Sequence, residues 1–272
     1  MLVALMWNWN AMWVRPAGWG FVADRLEAMN LSGISNESLV GRALRSPFRL
    51  IPNSAAVPIL QGPLRGRRWI VGSATHGCWL GSYEFETQRA FGGLVRAGDV
   101  VYDLGANVGF YSLLGARLAG RGGVVYSFEP LPRNLDYLRK HFSINGVKNC
   151  VVIDAAVADF DGEMKFERSA EPSTAHLSDG GDVAVRVVRL DSLVERGEVR
   201  PPDVMKIDVE CSEVKALAGA ARTIEKFRPR ILLATHNREL HAECVEFLER
   251  RGYRIEMLTE LALSGAELVA WP

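Results

Sequence analysis

The sequence predicts a doubly wound α/β fold: a mostly parallel sheet of seven strands with helices on both faces, preceded by an N-terminal extension. Three observations predict it. From about residue 86, short β-branched runs alternate with stretches of helical spacing, the pattern that builds βαβ units. The runs are apolar at nearly every residue, as strands are when both sheet faces are covered. The length, 272 residues, suits one such domain carrying an extension.

The first strand is VVYDL (100–104), which ends in an acid and runs into glycine. Residues 110–119 follow as a helix and VVYSFE (124–129) as the second strand. In LPRNLDYLRKHFSIN (131–145), Leu131, Leu135, Leu138 and Phe142 recur at helical spacing, and Asn145-Gly146 stops the helix. VVIDAAV (151–157) reads as the third strand. A polar stretch then holds a hairpin-like piece, Asp161-Gly162 followed by 164–166, and the run VAVRVVRL (183–190). VMKID (204–208) is the fourth strand, with a helix through Ala220. ILLAT (231–235) is the fifth, followed by a helix over 238–251 and strands at 253–258 and 267–271. The division falls near residue 85, with 1–85 as the extension and 86–272 as the α/β domain. Within the extension, residues 30–66 read as irregular apart from a short helix near 37–44, and 69–71 with 79–83 as an antiparallel flap.

At 48% hydrophobic and 24% charged residues, the chain is neither disordered nor fibrous. Its formal net charge is zero, which argues against a protein that coats nucleic acid. The zero is a sum of unlike parts. Residues 1–98 hold 10 Arg against 5 acids, a net of +5, and residues 99–272 hold 22 Lys+Arg against 27 acids, a net of −5. No acid lies between Glu37 and Glu84, where Arg42, Arg45, Arg49, Arg65, Arg67 and Arg68 fall. They read as a solvated basic surface or as a face for an anionic partner.

Cys78, Cys150, Cys211 and Cys244 are too far apart for a zinc or redox site and too few for a disulfide scaffold. A reducing cytoplasm is therefore the expected compartment. The five histidines include no i, i+4 pair, and no metal site is assigned. The start, MLVALMWNWNAMWV, is apolar and Trp-rich, lacks a basic n-region and is too short to span a bilayer. It is expected to pack on the domain or on a second subunit. Peripheral membrane contact through residues 1–20 is the alternative.

In a doubly wound sheet, ligands sit beyond the carboxyl ends of the strands. The loop there is DLGANVG, Asp103 to Gly109. Glycine between a first strand and its helix lets backbone approach a ligand closely. The spacing is not Gly-x-Gly-x-x-Gly, because Asn107 stands between Gly105 and Gly109. An acid at the strand end would repel a pyrophosphate and suits a cation. S-adenosylmethionine carries a sulfonium and an ammonium and no phosphate. Glu129, ending the second strand, is placed to accept two ribose hydroxyls, and Asp154 is a third acid at this edge. Each acid alone is also a common turn or capping residue. The combination of glycine loop and acid-ended second strand points to adenosylmethionine.

The segments VYDLGANVGFYS, FEP (128–130), DAAVADFDG (154–162), VVRLDSL (187–193) and DVMKIDVECSEVKALAGA (203–220) together resemble the FkbM-type methyltransferases, over about residues 80–260 and in the family's order. The resemblance implies a class I, Rossmann-like fold and adenosylmethionine-dependent methylation of a hydroxyl on a sugar, glycolipid or other natural product. The acceptor would then be a small molecule or glycan. It also implies that Asp103, Gly105, Asn107 and Gly109 form the cofactor loop, that Glu129 binds ribose, and that Asp154, Ala155 and Ala156 line the adenine edge. The chain departs from the family at two points. Cys211 stands where the KIDVEG motif usually has glycine, and Ala234 stands where strand five often has an acid before the histidine.

Methyl transfer to a hydroxyl needs alignment and benefits from a general base. Lys206, Asp208 and Glu210 lie at i, i+2 and i+4, so a continuing strand would turn them to one face over the crevice. The structural alternative is a Lys206–Glu210 ion pair with Asp208 capping the next helix. His236, after strand five, is the expected base, with Asp208, also a cofactor contact, and Glu210 orienting substrate or, less favoured, a divalent ion. A purely structural histidine is the alternative there. His76, Tyr83 and Glu84 are candidates for the acceptor side. An NAD-linked oxidoreductase is disfavoured by the loop spacing, and a cofactor-binding scaffold without catalysis is the second alternative.

Overall fold

The computed structural model describes residues 50–166 and 183–272. The Trp-rich start, the helix expected near 37–44 and Arg42, Arg45 and Arg49 lie outside the described residues. The elements in chain order are β1 (Ala56–Pro58), β2 (Arg68–Ile70), α1 (His76–Leu80), α2 (Phe85–Leu94), β3 (Val100–Leu104), α3 (Phe110–Ala119), β4 (Val124–Phe128) and α4 (Pro132–Asn145). They continue with β5 (Cys150–Ile153), β6 (Ala156–Val157), β7 (Gly162–Phe166), β8 (Val183–Val188), α5 (Leu190–Glu195) and β9 (Val204–Ile207). The last are α6 (Glu213–Gly219), α7 (Ala221–Phe227), β10 (Arg230–Thr235), α8 (Arg238–Glu249), β11 (Arg254–Met257) and β12 (Ala266–Trp271).

Seven strands form the central sheet in the order β11-β12-β10-β9-β3-β4-β5. The five from β10 to β5 are parallel, and β12 runs antiparallel to both of its neighbours. The order reverses between β3 and β9, so the crevice opens at their carboxyl ends. Successive side chains alternate between two apolar layers, as the pleat requires. Val101, Val125, Val204 and Leu232 pack in one layer; Tyr102, Leu104, Met205 and Ile207 pack in the other. At the ends of α4, Pro132 occupies the first turn and Gly146 closes the helix at φ 60°, the usual asymmetry of helix ends.

Four expectations are corrected. The run 151–157 is two strands: β5 ends at Ile153, and β6 pairs with β8 in a separate three-stranded sheet completed by β7. Asp154 interrupts the run between the two strands, but a single acid carries no signal for a change of sheet. The flap partner of β2 is β1, not the segment 79–83, most of which lies in or just beyond α1. The fourth strand ends at Ile207, before Asp208, and leads into two helices, α6 and α7, rather than one. Helices α1 and α2 stand where the sequence reading has none.

The described residues before α2 pack against the central sheet and its helices. Trp69 is fully buried and stacks on His141 of α4, ring centroids 3.9 Å apart. The His141 Nε2 accepts the Ile70 N–H at 3.1 Å, so the ring proton is on Nδ1, which donates to the Val108 carbonyl at 2.7 Å. One imidazole thus ties the flap to the glycine loop. Its burial pulls the pKa down to about 4, keeping the ring neutral for both bonds. All four cysteines are free. Among the described residues no helix is long and apolar enough to cross a membrane.

Candidate active site

A cavity of about 850 Å³ opens at the carboxyl ends of β3, β4, β9 and β10, within the range of small-ligand sites. Parallel register sets Asp103 beside Ser127 on one side and Lys206 on the other. The Ser127 hydroxyl donates to Ser112 Oγ at 2.8 Å, and Ser112 donates to Asp103 Oδ2 at 2.6 Å. Asp103 is only 1% exposed, and its Oδ1 has no hydrogen-bond partner among the described residues. Burial pushes its pKa up, while Lys206 and Ser112 pull it down.

The glycine loop lies flat against the neighbouring strand end. The N–H groups of Gly105 and Ala106 both donate to the Phe128 carbonyl, at 3.0 and 2.9 Å. Gly105 has φ 78°, and a Cβ there would sit 1.9 Å from the Asp208 carbonyl oxygen. No L side chain fits such a position. The loop passes through Asn107 at φ 49°, and the Asn107 N–H donates to Glu129 Oε2 at 2.9 Å. Glu129 Oε1 accepts the Leu131 N–H at 2.9 Å and the Asn134 amide at 3.2 Å. Burial raises the Glu129 pKa to about 7 against the pull of these three donors. Each oxygen keeps acceptor capacity toward a ligand.

Lys206 donates to Asp208 Oδ2 at 2.9 Å, not to Glu210 as the structural alternative had it, and its side chain is 5% exposed. Its ammonium lies 4.6 Å from the centroid of the Tyr111 ring. The tyrosine hydroxyl in turn donates to Glu84 Oε2 at 2.8 Å. Lys206 stays protonated because Asp208, Asp103 and Glu84 outweigh its desolvation. Desolvation opposes ionisation of Asp208 too, but Lys206 and His236 hold its pKa below the usual range.

Strand alternation does not carry past Ile207. The chain turns through Glu210 at φ 45° and Cys211 at φ 61°. This left-handed turn, rather than the pleat, brings Glu210 to the cavity beside Asp208. Cys211 thus occupies the backbone conformation that glycine adopts freely. Asp208 does not cap α6; that cap is Ser212, and Glu213 Oε1 accepts the Cys211 N–H at 3.2 Å. The Nε2 of His236 stands 3.2 Å from Glu210 Oε2 and 3.5 Å from Asp208 Oδ1, while Nδ1 is hydrogen-bonded to Glu213. Burial disfavours the charged ring, but the Glu213 bond and the Glu210 and Asp208 charges raise the His236 pKa to about 9.

Asp103, Gly105, Asn107, Glu129, Ala155, Ala156, Lys206, Asp208, Glu210 and His236 therefore share one cavity. Gly109 and Asp154 do not line it. Gly109, at φ 93°, starts α3, and a Cβ there would press on Leu138. The Asp154 side chain is about half exposed and pairs with Arg139. Tyr83 and Glu84 reach the cavity and His76 does not. The sequence reading missed Arg133, Asn134, Tyr111 and Glu267, which also line it. Asn134 had a faint signal, five residues past Glu129 on the helix that follows it. Glu267 had none, because it comes from the antiparallel strand β12.

A sequence profile of the methyltransferase FkbM domain matches residues 103–255. The hexuronic acid methyltransferase AglP of Haloferax volcanii is 30% identical over 129 residues, 47% of this chain and 52% of that protein. The 31-O-demethyl-FK506 methyltransferase FkbM of Streptomyces tacrolimicus is 26% identical over 208 residues, 64% of this chain and 80% of that one. The match thus spans about half the length of AglP and four-fifths of FkbM. Among solved structures, a methyltransferase FkbM from Methylobacillus flagellatus aligns at 18% identity with a TM-score of 0.47, over 73% of this chain and 56% of that one. The profile covers more than half of the 272 residues: the chain belongs to the FkbM methyltransferase domain family.

Proposed function

We propose that the chain is an S-adenosylmethionine-dependent methyltransferase acting on a hydroxyl of a sugar, glycolipid or other natural product. One observation carries the cofactor reading. The cavity is lined by six carboxyl groups, Glu84, Asp103, Glu129, Asp208, Glu210 and Glu267, against Lys206, Arg133 and His236. Burial raises the pKa of Glu84, Asp103, Glu129 and Glu210. A cationic ligand reverses that penalty, and an anionic cofactor deepens it. The bare Oδ1 of Asp103 suits such a ligand. When bound, S-adenosylmethionine supplies a methyl group activated by its sulfonium.

The residues divide by role. Asp103, Gly105 and Asn107 would hold the amino-acid end, Glu129 the ribose, and Ala155 and Ala156 the adenine edge. Asp208, Glu210 and His236 would receive the acceptor hydroxyl. Because His236 carries a proton up to about pH 9, its role at neutral pH is to donate to the hydroxyl oxygen, and Glu210 Oε2 takes the proton. Lys206 holds Asp208 in place for that task. The names of AglP and FkbM support a sugar or natural-product acceptor. The test is transfer of labelled methyl from S-adenosylmethionine into sugar and lipid extracts, with cofactor affinity measured by calorimetry. Glu210→Gln should lose at least a hundredfold in turnover while keeping that affinity. Unchanged turnover at saturating substrate refutes the assignment, and absence of cofactor binding refutes the whole reading.

A further inference from the structure

Asp208, Glu210 and His236 each offer one ligand atom within 4.8 Å of the others, with Asp208 Oδ1 and Glu210 Oε2 both facing His236 Nε2. The contacts from Nε2, 3.2 and 3.5 Å, are long for charge-assisted hydrogen bonds, which run about 2.7–2.9 Å. They equal the ligand-to-ligand separations around a divalent cation. With bonds of about 2.0–2.2 Å, those separations are about 3.0 Å in an octahedron and about 3.5 Å in a tetrahedron. We propose that these three atoms form a binding site for a divalent cation of the type that takes mixed nitrogen and oxygen ligands.

A second, independent feature lies behind the ring. Glu213 is fully buried; its Oε1 is bonded to His236 Nδ1, and its Oε2 has no hydrogen-bond partner among the described residues. A carboxylate on one ring nitrogen fixes the tautomer that leaves the other free to ligate, and it raises the basicity of that ligand. Asp208 is divided the same way, with Oδ2 committed to Lys206 and Oδ1 turned toward His236. One oxygen is thus left for a single cation bond. Imidazole with two carboxylates suits Mn²⁺ or Zn²⁺ better than Ca²⁺. The site shares the acceptor end of the cavity, so the proposal deepens the methyltransferase reading and rests on it for its role: a bound cation would displace the proton from His236 Nε2 and engage Glu210 Oε2, so that the ion, in place of that pair, orients the acceptor hydroxyl and eases loss of its proton to solvent.

The experiment uses the full chain, stripped by chelator and titrated with Mn²⁺ alone. Free ion is followed by electron paramagnetic resonance, with calorimetry of S-adenosylmethionine in parallel. One Mn²⁺ per chain is expected. Glu210→Gln and His236→Asn should each weaken it tenfold or more, and Glu213→Gln, which touches the far ring nitrogen and the Cys211 N–H but no ligand atom, should weaken it by a similar factor. Glu246→Gln, a surface change, should leave it unaltered. No Mn²⁺ uptake at millimolar ion by a chain that binds S-adenosylmethionine overturns the proposal, as does uptake that survives both ligand substitutions. Uptake without S-adenosylmethionine binding supports the cation site and removes the cofactor reading, so the two fail separately.

Discussion

Replacing Gly105 by alanine tests how the cofactor loop is built. The new Cβ would lie 1.9 Å from the Asp208 carbonyl oxygen, 2.9 Å from its carbon and 3.6 Å from Val209 Cα. All three are backbone atoms, so no side-chain rotation relieves them. An ordinary contact requires the two strand ends to separate by more than about 1 Å. That opens the 3.0 Å bond from the Asp208 N–H to the Leu104 carbonyl, which holds these ends together. The left-handed φ adds about 1–2 kcal/mol, overpacking about 1–3 kcal/mol and the lost buried hydrogen bond about 1 kcal/mol. The expected loss is about 3–6 kcal/mol, a large share of the stability of an ordinary domain. Urea unfolding followed by circular dichroism measures it. Gly109→Ala is the internal comparison. It also has a left-handed φ, 93°, but its Cβ would meet the movable Leu138 side chain at 3.2 Å, so about 1–2 kcal/mol is expected. Because Gly109 does not line the cavity, its alanine variant should also keep most of its adenosylmethionine affinity. A Gly105→Ala variant no less stable than Gly109→Ala, with cofactor affinity intact, would refute the reasoning.

Three further outcomes are expected from the same geometry. Lys206→Met leaves Asp103, Asp208 and Glu84 around a neutral side chain, so a loss of about 3–5 kcal/mol is expected; a urea midpoint equal to wild type argues against the network. Burial raises the folded pKa of Glu129 from 4.5 to about 7, so its contribution to stability is present below pH 4.5 and lost as pH rises through about 7. In the proposed cofactor site the ionised carboxylate holds the ribose, so adenosylmethionine affinity should rise over that window and level off above it, while calorimetry on Glu129→Gln should give weaker binding with the slope removed. Cys211→Gly relieves a left-handed residue at φ 61°, worth about 1–2 kcal/mol, against about 0.5–1 kcal/mol of added chain entropy. The melting temperature should rise by roughly 1–3 °C, and a fall counts against strain at Cys211.

The features legible in the sequence are local. VVYDL with its glycine, VVYSFE and the Asn145-Gly146 stop each carry their signal within a few residues, and their elements fall within one residue of expectation. The register of distant strands carries no such signal. Nothing near Asp103 announces that Lys206 lies beside it across β3 and β9, so sequence reasoning leaves the partner of Lys206 open. It places Glu210 at the crevice for the wrong reason. Alternation ends at Ile207, and the residue arrives through a left-handed turn that no periodicity encodes. The flap pairing fails for want of length, since β1 and β2 have three residues each.

The charge asymmetry changes meaning in the folded chain. Among the described residues, the arginine-rich N-terminal part contributes an acid and no base to the cavity: Glu84 lies there beside Lys206. Two of its arginines have other work. Arg68 donates to the Ala56 carbonyl at 2.9 Å and Arg67 to the Asn145 carbonyl at 3.1 Å, so part of the local +5 is consumed in fastening β2 to β1 and to α4. Glu267 reaches the same cavity from the last strand, held by the Thr87 hydroxyl of α2. Carboxylates drawn from opposite ends of the chain are costly to bury together unless a cation joins them. The geometry suits two such cations, the sulfonium cofactor at Asp103 and Glu129 and the divalent ion at Asp208, Glu210 and His236. With S-adenosylmethionine and Mn²⁺ each titrated in the presence of the other, relief of one shared acid surplus predicts that each weakens the other; mutual strengthening would mean that ordering of the turn at Glu210 outweighs charge.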